Sequence, residues 1–226
     1  MKLSIIIPTL NEEQCIGRLI DYLLTSKIEK DNILIADGGS TDKTVEIVRN
    51  KGVRTLLSTP SRAIQMNHGA SESKGEWLYF IHADTLPPIT WLEDLDYLIH
   101  NEFEAGTYRS EFIEGPKMLK LNAFFTRFNW LVSRGGDQSL FINKVVFHEL
   151  GGYDETMEIM EEYPLIEKLM LRGKMKVFRA RTKIATRKYD DRSWLRVSRA
   201  NYIAFKMYKR GVKSSLIRKR YLELLG

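Results

Sequence analysis

The sequence comprises 226 residues, 43% hydrophobic and 28% charged, an ordinary globular balance with room for one large α/β domain or a domain with an appendage. Its single cysteine, Cys15, excludes an internal disulfide and argues against a cysteine-based metal site; the apolar run before Pro8 is too short for a signal peptide and no run of about eighteen apolar residues occurs, so a cytoplasmic, reducing setting without a membrane span is expected. The net charge of +6 is concentrated at the end: 14 Lys and Arg stand against 3 acids from Arg181 to Gly226, and 21 against 26 before that.

Lys2 to Pro8 (KLSIIIP) reads as a short buried strand stopped by a proline, and helical spacing of Ile16, Leu19, Ile20, Leu23 and Leu24 predicts a helix over about 12–26. A second strand, 32–36, ends in Asp37-Gly38-Gly39-Ser40-Thr41-Asp42, where glycines permit a tight turn and Ser40 or Thr41 can cap a helix over 43–51. A third strand (53–57), a third helix (61–73) and a buried strand, Trp77 to Ile81, complete a β-α-β-α-β-α-β series. Such alternation predicts a mostly parallel sheet flanked by helices, with right-handed crossovers placing the strand ends on one edge. A helix over 89–101, a strand over 105–113 and an aromatic-rich helix over 116–134 follow. Beyond Gly135-Gly136-Asp137-Gln138 come a strand (139–143), a short helix (144–150), a loop (153–160), a helix opened by Glu161-Glu162 and ending at Arg172, and strands over 175–180 and 183–187. The tail, 192–225, reads as basic amphipathic helices broken at Gly211.

The loops Pro8–Glu12, Asp37–Ser40 and His82–Asp84 share the carboxyl edge of this sheet, where open α/β proteins bind ligands. Asp84 is the first candidate for chemistry, the alternative being a helix-capping aspartate. Neither G-x-G-x-x-G nor G-x-x-x-x-G-K-[ST] is present, so dinucleotide and P-loop fingerprints are excluded.

The segments IIIPTLNEE, IADGGSTDKT, RAIQMNHGA, HADT, GDQSLFI with LGGYDE, and Glu161-Glu162 occur in this order on these elements. From Lys2 to about Gly173 the chain resembles the family 2 glycosyltransferases of the GT-A fold, above all small soluble members carrying RA-x-QMN-x-GA and HADT. The resemblance implies a GT-A (Rossmann-like) domain over 1–190, a nucleotide-sugar half over 1–104 and an acceptor half over 105–190, with the helical tail over 191–226. The chain departs from the family pattern where Ala36-Asp37 replaces a common Asp pair, where His82-Ala83-Asp84 retains one carboxylate of a D-x-D, and where Glu161-Glu162 replaces Glu-Asp.

What the resemblance implies is an inverting transfer from a nucleotide-diphosphate sugar, UDP favoured and GDP open, to a glycan or lipid-linked acceptor. Charge developing on the leaving diphosphate calls for a divalent cation, Mg²⁺ or Mn²⁺, for which one carboxylate plus phosphates suffices. Asp84 is its expected ligand. Pro8, Thr9, Asn11, Glu12, Asp37, Gly38, Asn67, His82 and Ala83 are expected around the nucleotide sugar, with Arg62 reaching a phosphate and Arg187, with Lys188, closing over the diphosphate. Capping roles remain open for Glu12 and Asp37, and packing for His82. Glu162 is the expected general base, Glu161 its supporting acid and Asp137 an orienter of hydroxyls; a purely electrostatic role at a helix N-terminus is the alternative for the acidic pair. A GT-A domain that binds without catalysis is the competing reading, while the acidic TLNEE loop argues against a nucleotidyltransferase. The tail either packs on the domain, the favoured reading, or lies on the inner face of an anionic membrane; without a recognised motif, no nucleic-acid partner is expected.

Overall fold

The computed structural model describes residues 3–113, 115–186 and 193–226. The strands are β1 (Leu3–Thr9), β2 (Ile33–Asp37), β3 (Arg54–Leu57), β4 (Trp77–Phe80), β5 (Thr85–Leu86), β6 (Ala105–Phe112), β7 (Leu140–Asn143) and β8 (Met175–Ile184). They form one sheet in the order β3-β2-β1-β4-β7-β6-β8-β5. β1 is parallel to β2 and β4, and β2 to β3, with Thr9 opposite Asp37 in register. β7 joins β4 and β6 antiparallel, β6 and β8 are parallel, and β5 closes antiparallel on β8. This is the α/β sheet with a mostly parallel half that the strand-helix alternation predicts.

The helices are α1 (Ile16–Thr25), α2 (Thr44–Asn50), α3 (Arg62–Ser71), α4 (Trp91–His100), α5 (Leu119–Phe125), α6 (Lys144–Glu149), α7 (Tyr163–Arg172), α8 (Trp194–Lys209) and α9 (Ser214–Leu225). Because strand side chains alternate in direction, β1 serves two cores. Leu3, Ile5 and Ile7 pack with Leu19 and Ile20 of α1 and Trp91 and Leu95 of α4. Ile6 faces Met66 of α3, Phe147 of α6 and Leu165 of α7. Within the first of these cores Tyr79 stacks on Phe141 with centroids 3.8 Å apart. A third, smaller core joins α8 and α9 to Leu119 of α5.

The sheet's curl follows from chain length. β5 starts five residues after β4, yet three strands lie between them. Five residues reach at most about 18 Å, whereas four flat inter-strand steps span about 19 Å. The intervening His82-Ala83-Asp84 is moreover a turn, Thr85 N donating to His82 O at 3.1 Å. The strands beyond β4 must therefore bend back, which brings the end of β8 to Asp84, whose carbonyl accepts from Ala185 N at 3.2 Å.

Two element boundaries differ from expectation. The helix expected over 116–134 stops at Phe125 and resumes only as a 3₁₀ turn, Leu131–Ser133. Arg134 Nη2 donates to the carbonyls of Thr126 and Phe128, acceptors that helix propagation would have used, and Thr126 Oγ1 accepts from Ser110 N at 3.0 Å. The strands expected over 175–180 and 183–187 are continuous through Ile184, with an irregularity opposite Thr107 to Arg109.

Candidate active site

The loops after β1 and β2 are tied to one another before any ligand is considered. Asp37 is 1% exposed. Its carboxylate accepts from Thr9 Oγ1 (2.8 Å), Ser40 Oγ (2.6 Å) and the amides of Gly39 (2.9 Å) and Ser40 (2.8 Å). Gln65 of α3, not anticipated as a site residue, donates to the carbonyls of Thr9 and Ala36 at 2.8 and 2.7 Å. Gly38 donates to Thr9 O at 2.9 Å, and a Cβ on it would lie 3.1 Å from Pro60 Cα. Asn11, at φ 57°, accepts from Thr41 N, while Glu12 N donates to Thr44 Oγ1. The turn amides thus occupy the Asp37 carboxylate, which orders the loop.

These loops form one wall of a cleft of about 1250 Å³. Pro8, Thr9, Glu12 and Arg62 line this side; His82, Ala83 and Asp84 line its floor. Asp137, Glu161 and Glu162, from the chain after β6, line the other wall of the same cleft. Asn67 stands apart. It lies five residues along α3 from Arg62, which at about 100° per residue turns it some 140° away. Its side chain instead holds the loop after α6, bonding Tyr153 O (2.8 Å), Tyr153 N (3.0 Å) and Glu155 (2.8 Å). Arg187 and Lys188 lie outside the described residues.

The acidic pair owes its direction to two features that sequence alone does not display. Met160 holds φ 62°, a left-handed conformation unfavourable for a long side chain, immediately before the pair. Glu162 occupies the N-cap position of α7 without capping it; its Oε1 accepts from Gly136 N at 2.8 Å. A Cβ on Gly136 would stand 2.5 Å from His82 Cε1, so any larger residue there would displace the imidazole. The Gly135-Gly136 doublet was the available signal for this contact. His82 therefore packs against the turn that anchors Glu162 while also lining the cleft.

The charges are mutually tuned. Burial, reinforced by the field of Glu161, pushes the Glu162 carboxyl up to about 7, against the lowering pull of backbone amides. Burial also lowers the His82 imidazole, and Arg62 adds to this, so the ring favours its neutral form. Partial desolvation at the cleft mouth would lower Arg62, but Glu161, Glu162, Asp137 and Asp84 outweigh it and raise the guanidinium. Arg62 Nη1 lies 3.8 Å from Glu161 Oε1; its side chain is 64% exposed and that of Glu161 8%. A cation thus stands at the mouth, beside carboxylates set deeper.

Among the described residues no group of three or more His, Cys, Asp or Glu is placed to hold a metal. The described residues therefore form no closed protein cage. The single carboxylate of Asp84 fits a hard divalent ion that draws its remaining ligands from phosphate and water. The far end of the cleft is walled by Phe125, Trp130 and Arg134 and, unexpectedly, by the tail: Asn201, Tyr202 and Phe205 of α8 and Tyr221 of α9.

A curled α/β sheet with its cleft at the carboxyl ends of β1, β2 and β4 is the GT-A architecture. The chain superposes over 100% of its length on S. aureus TarS 1-349 in complex with UDP (TM-score 0.66, 17% identity, 71% of that chain), and over 99% on the mannosyltransferase PcManGT from Pyrobaculum calidifontis in complex with GDP-Man and Mn²⁺ (TM-score 0.67, 18% identity, 68% of that chain). The chain belongs to glycosyl transferase family 2, whose family model matches residues 4–149. It is 31% identical over 135 residues to the glucosyl-3-phosphoglycerate synthase of Petrotoga mobilis, a match covering 56% of this chain and 39% of that protein.

Proposed function

We propose that this protein is an inverting glycosyltransferase that moves a sugar from a nucleotide-diphosphate sugar, UDP being the favoured nucleotide, to an acceptor hydroxyl. The observation that carries this reading is the opposition, within one cleft, of Asp84 and Arg62 to a Glu162 whose carboxylate is anchored by Gly136 N. The preordered loops bearing Pro8, Thr9, Asn11, Glu12 and Gly38 support a donor site, with Ala83 and His82 on its floor. Asp37 acts through those loops and Asn67 through the loop after α6. Arg62 balances diphosphate charge at the mouth. Glu162, ionising near neutrality, takes the acceptor proton as the new bond forms; Glu161 and Asp137 set its field and orient hydroxyls. Asp84 would hold Mg²⁺ or Mn²⁺, which supplies neutralisation of the departing diphosphate. The Mn²⁺ complex of a structural neighbour supports that choice.

On this reading residues 1–104 serve the donor and 105–190 the acceptor, a glycan or lipid-linked molecule, while the tail closes the acceptor end. No helix among the described residues is long and apolar enough to cross a membrane, and a cytoplasmic protein working at the inner membrane face is the setting proposed. Calorimetric titration with UDP and GDP, with and without Mn²⁺, tests the donor site. Metal-dependent binding of one nucleotide, lost in Asp84→Ala, is expected. Wild-type protein that binds neither nucleotide with metal present would overturn the reading.

A further inference from the structure

Seven of the 18 exposed large hydrophobic side chains among the described residues fall between Ile113 and Val132, including Phe124, Phe125 and Trp130 at 45%, 41% and 52% exposure. This density marks a patch rather than the scattered exposure normal for a soluble surface. The patch is rigidly built. Phe128 stacks on Trp130 with centroids 4.5 Å apart, and Arg134 holds the carbonyls of Thr126 and Phe128 from behind.

Arginines surround the same surface. The Arg127 guanidinium lies 3.9 Å over the Phe124 ring. Arg109 of β6 is the register partner of Arg181 on β8, with Arg179 two residues before. Burial lowers Arg109, and the cations Arg127, Arg179 and Arg181 lower it further, so the guanidinium groups share one field. Beneath them Arg134 is 3% exposed, and its Nε and Nη1, like Nε of Arg109, have no hydrogen-bond partner. Among the described residues none of these five arginines forms an ion pair. The nearest acid along β6, Glu111, stands opposite Lys183.

We propose that residues 118–132, with Arg109, Arg127, Arg179 and Arg181, dock this protein on an anionic lipid bilayer. A bilayer surface offers phosphate to the guanidinium groups and an apolar boundary to the aromatic rings at once. A soluble polyanion would leave the rings in water, and a second copy across a two-fold axis would set arginines against arginines. The tail is not this surface. α8 and α9 bury Val197, Ala200 and Leu225 in one core with Leu119, and Lys209, Arg218 and Arg220 are paired with Glu167, Glu158 and Glu223. Since Phe125, Trp130 and Val132 also line the cleft, docking here sets its acceptor end at the lipid plane. The inference is independent of the donor's identity.

Co-sedimentation of the intact protein with phosphatidylcholine vesicles, with and without phosphatidylglycerol, tests this. Binding is expected only with the anionic lipid. The combined variant Arg127→Ala, Arg179→Ala, Arg181→Ala should partition about 100-fold more weakly, while Lys206→Ala, Arg210→Ala, Lys219→Ala in the tail should match wild type. Brominated lipid should quench a tryptophan component that Trp130→Phe lacks, a readout that holds even if the arginine variant fails to fold. Wild type left in the supernatant, binding lost with the tail variant but kept by the arginine variant, or quenching unaltered in Trp130→Phe would each overturn the proposal.

Discussion

Asp37 and Arg134 are almost equally inaccessible, at 1% and 3% exposure, yet their surroundings treat them in opposite ways. Asp37 receives four hydrogen bonds from its own loop and from β1. Arg134 satisfies Nη2 on backbone carbonyls and leaves Nε and Nη1 without a partner. The contrast extends to the regions around them. Among the described residues, Ser58 carries the only buried side-chain polar atom without a partner before β6, whereas from β6 onward Arg109, Arg134, Gln138, Thr182, Trp194 and Ser198 each carry at least one. A region whose polar groups are already paired binds without an ordering cost. A region with unmet capacity takes its final electrostatics from what it contacts. In this molecule the polar groups of the first wall are paired, while several buried ones on the second are not.

The largest expected effect separates chemistry from binding. Glu162→Gln keeps the side-chain shape but removes the proposed base, so kcat should fall about 10³-fold while calorimetric affinity for the nucleotide is preserved. Parallel loss of both would place Glu162 in the donor site instead. Next in size is the stability contrast. Asp37→Ala abandons donors on three residues and should cost about 3 kcal/mol in urea unfolding. Arg134→Met removes a buried, unpaired cation together with its two backbone contacts, and should lie within about 1 kcal/mol of wild type. Equal losses in the two variants would erase the distinction between the walls.

The same contrast governs how much the sequence reveals. The first wall is built from contiguous signals: alternating apolar residues in β1, the glycines after Asp37 and the helical spacing of α1. Its hydrogen bonds join loops that the parallel topology brings together anyway. The second wall depends on contacts without local signature. β5 is a two-residue strand defined only by its pairing with β8. The helix through 116–134 is broken by Arg134, which lies at its far end. Glu161 and Glu162 are legible as an acidic pair, but their direction rests on the Met160 backbone and on Gly136, more than twenty residues earlier. The helical tail was legible as well, though not the faces of α8 and α9 that reach the cleft.

The smallest effect concerns the charge of Glu162. As the proposed base it would act ionised, so turnover should rise with pH through about 7 and then level. After burial, the field of Glu161 is the largest cause of that elevated value. Glu161→Gln removes the negative neighbour with little change of shape, and the midpoint of the pH–rate profile should move down by up to about one unit. Stability carries the same signature. The folded value lies above the ordinary carboxylate value of 4.5, so this group's contribution is fully present below about 4.5 and is lost as pH rises through about 7. The urea midpoint of wild type should therefore decline across that window more steeply than that of Glu162→Gln. If the midpoint of Glu161→Gln moved upward instead, the dominant neighbour of Glu162 would be the Arg62 cation that Glu161 holds at 3.8 Å, released or displaced when its partner is neutralised.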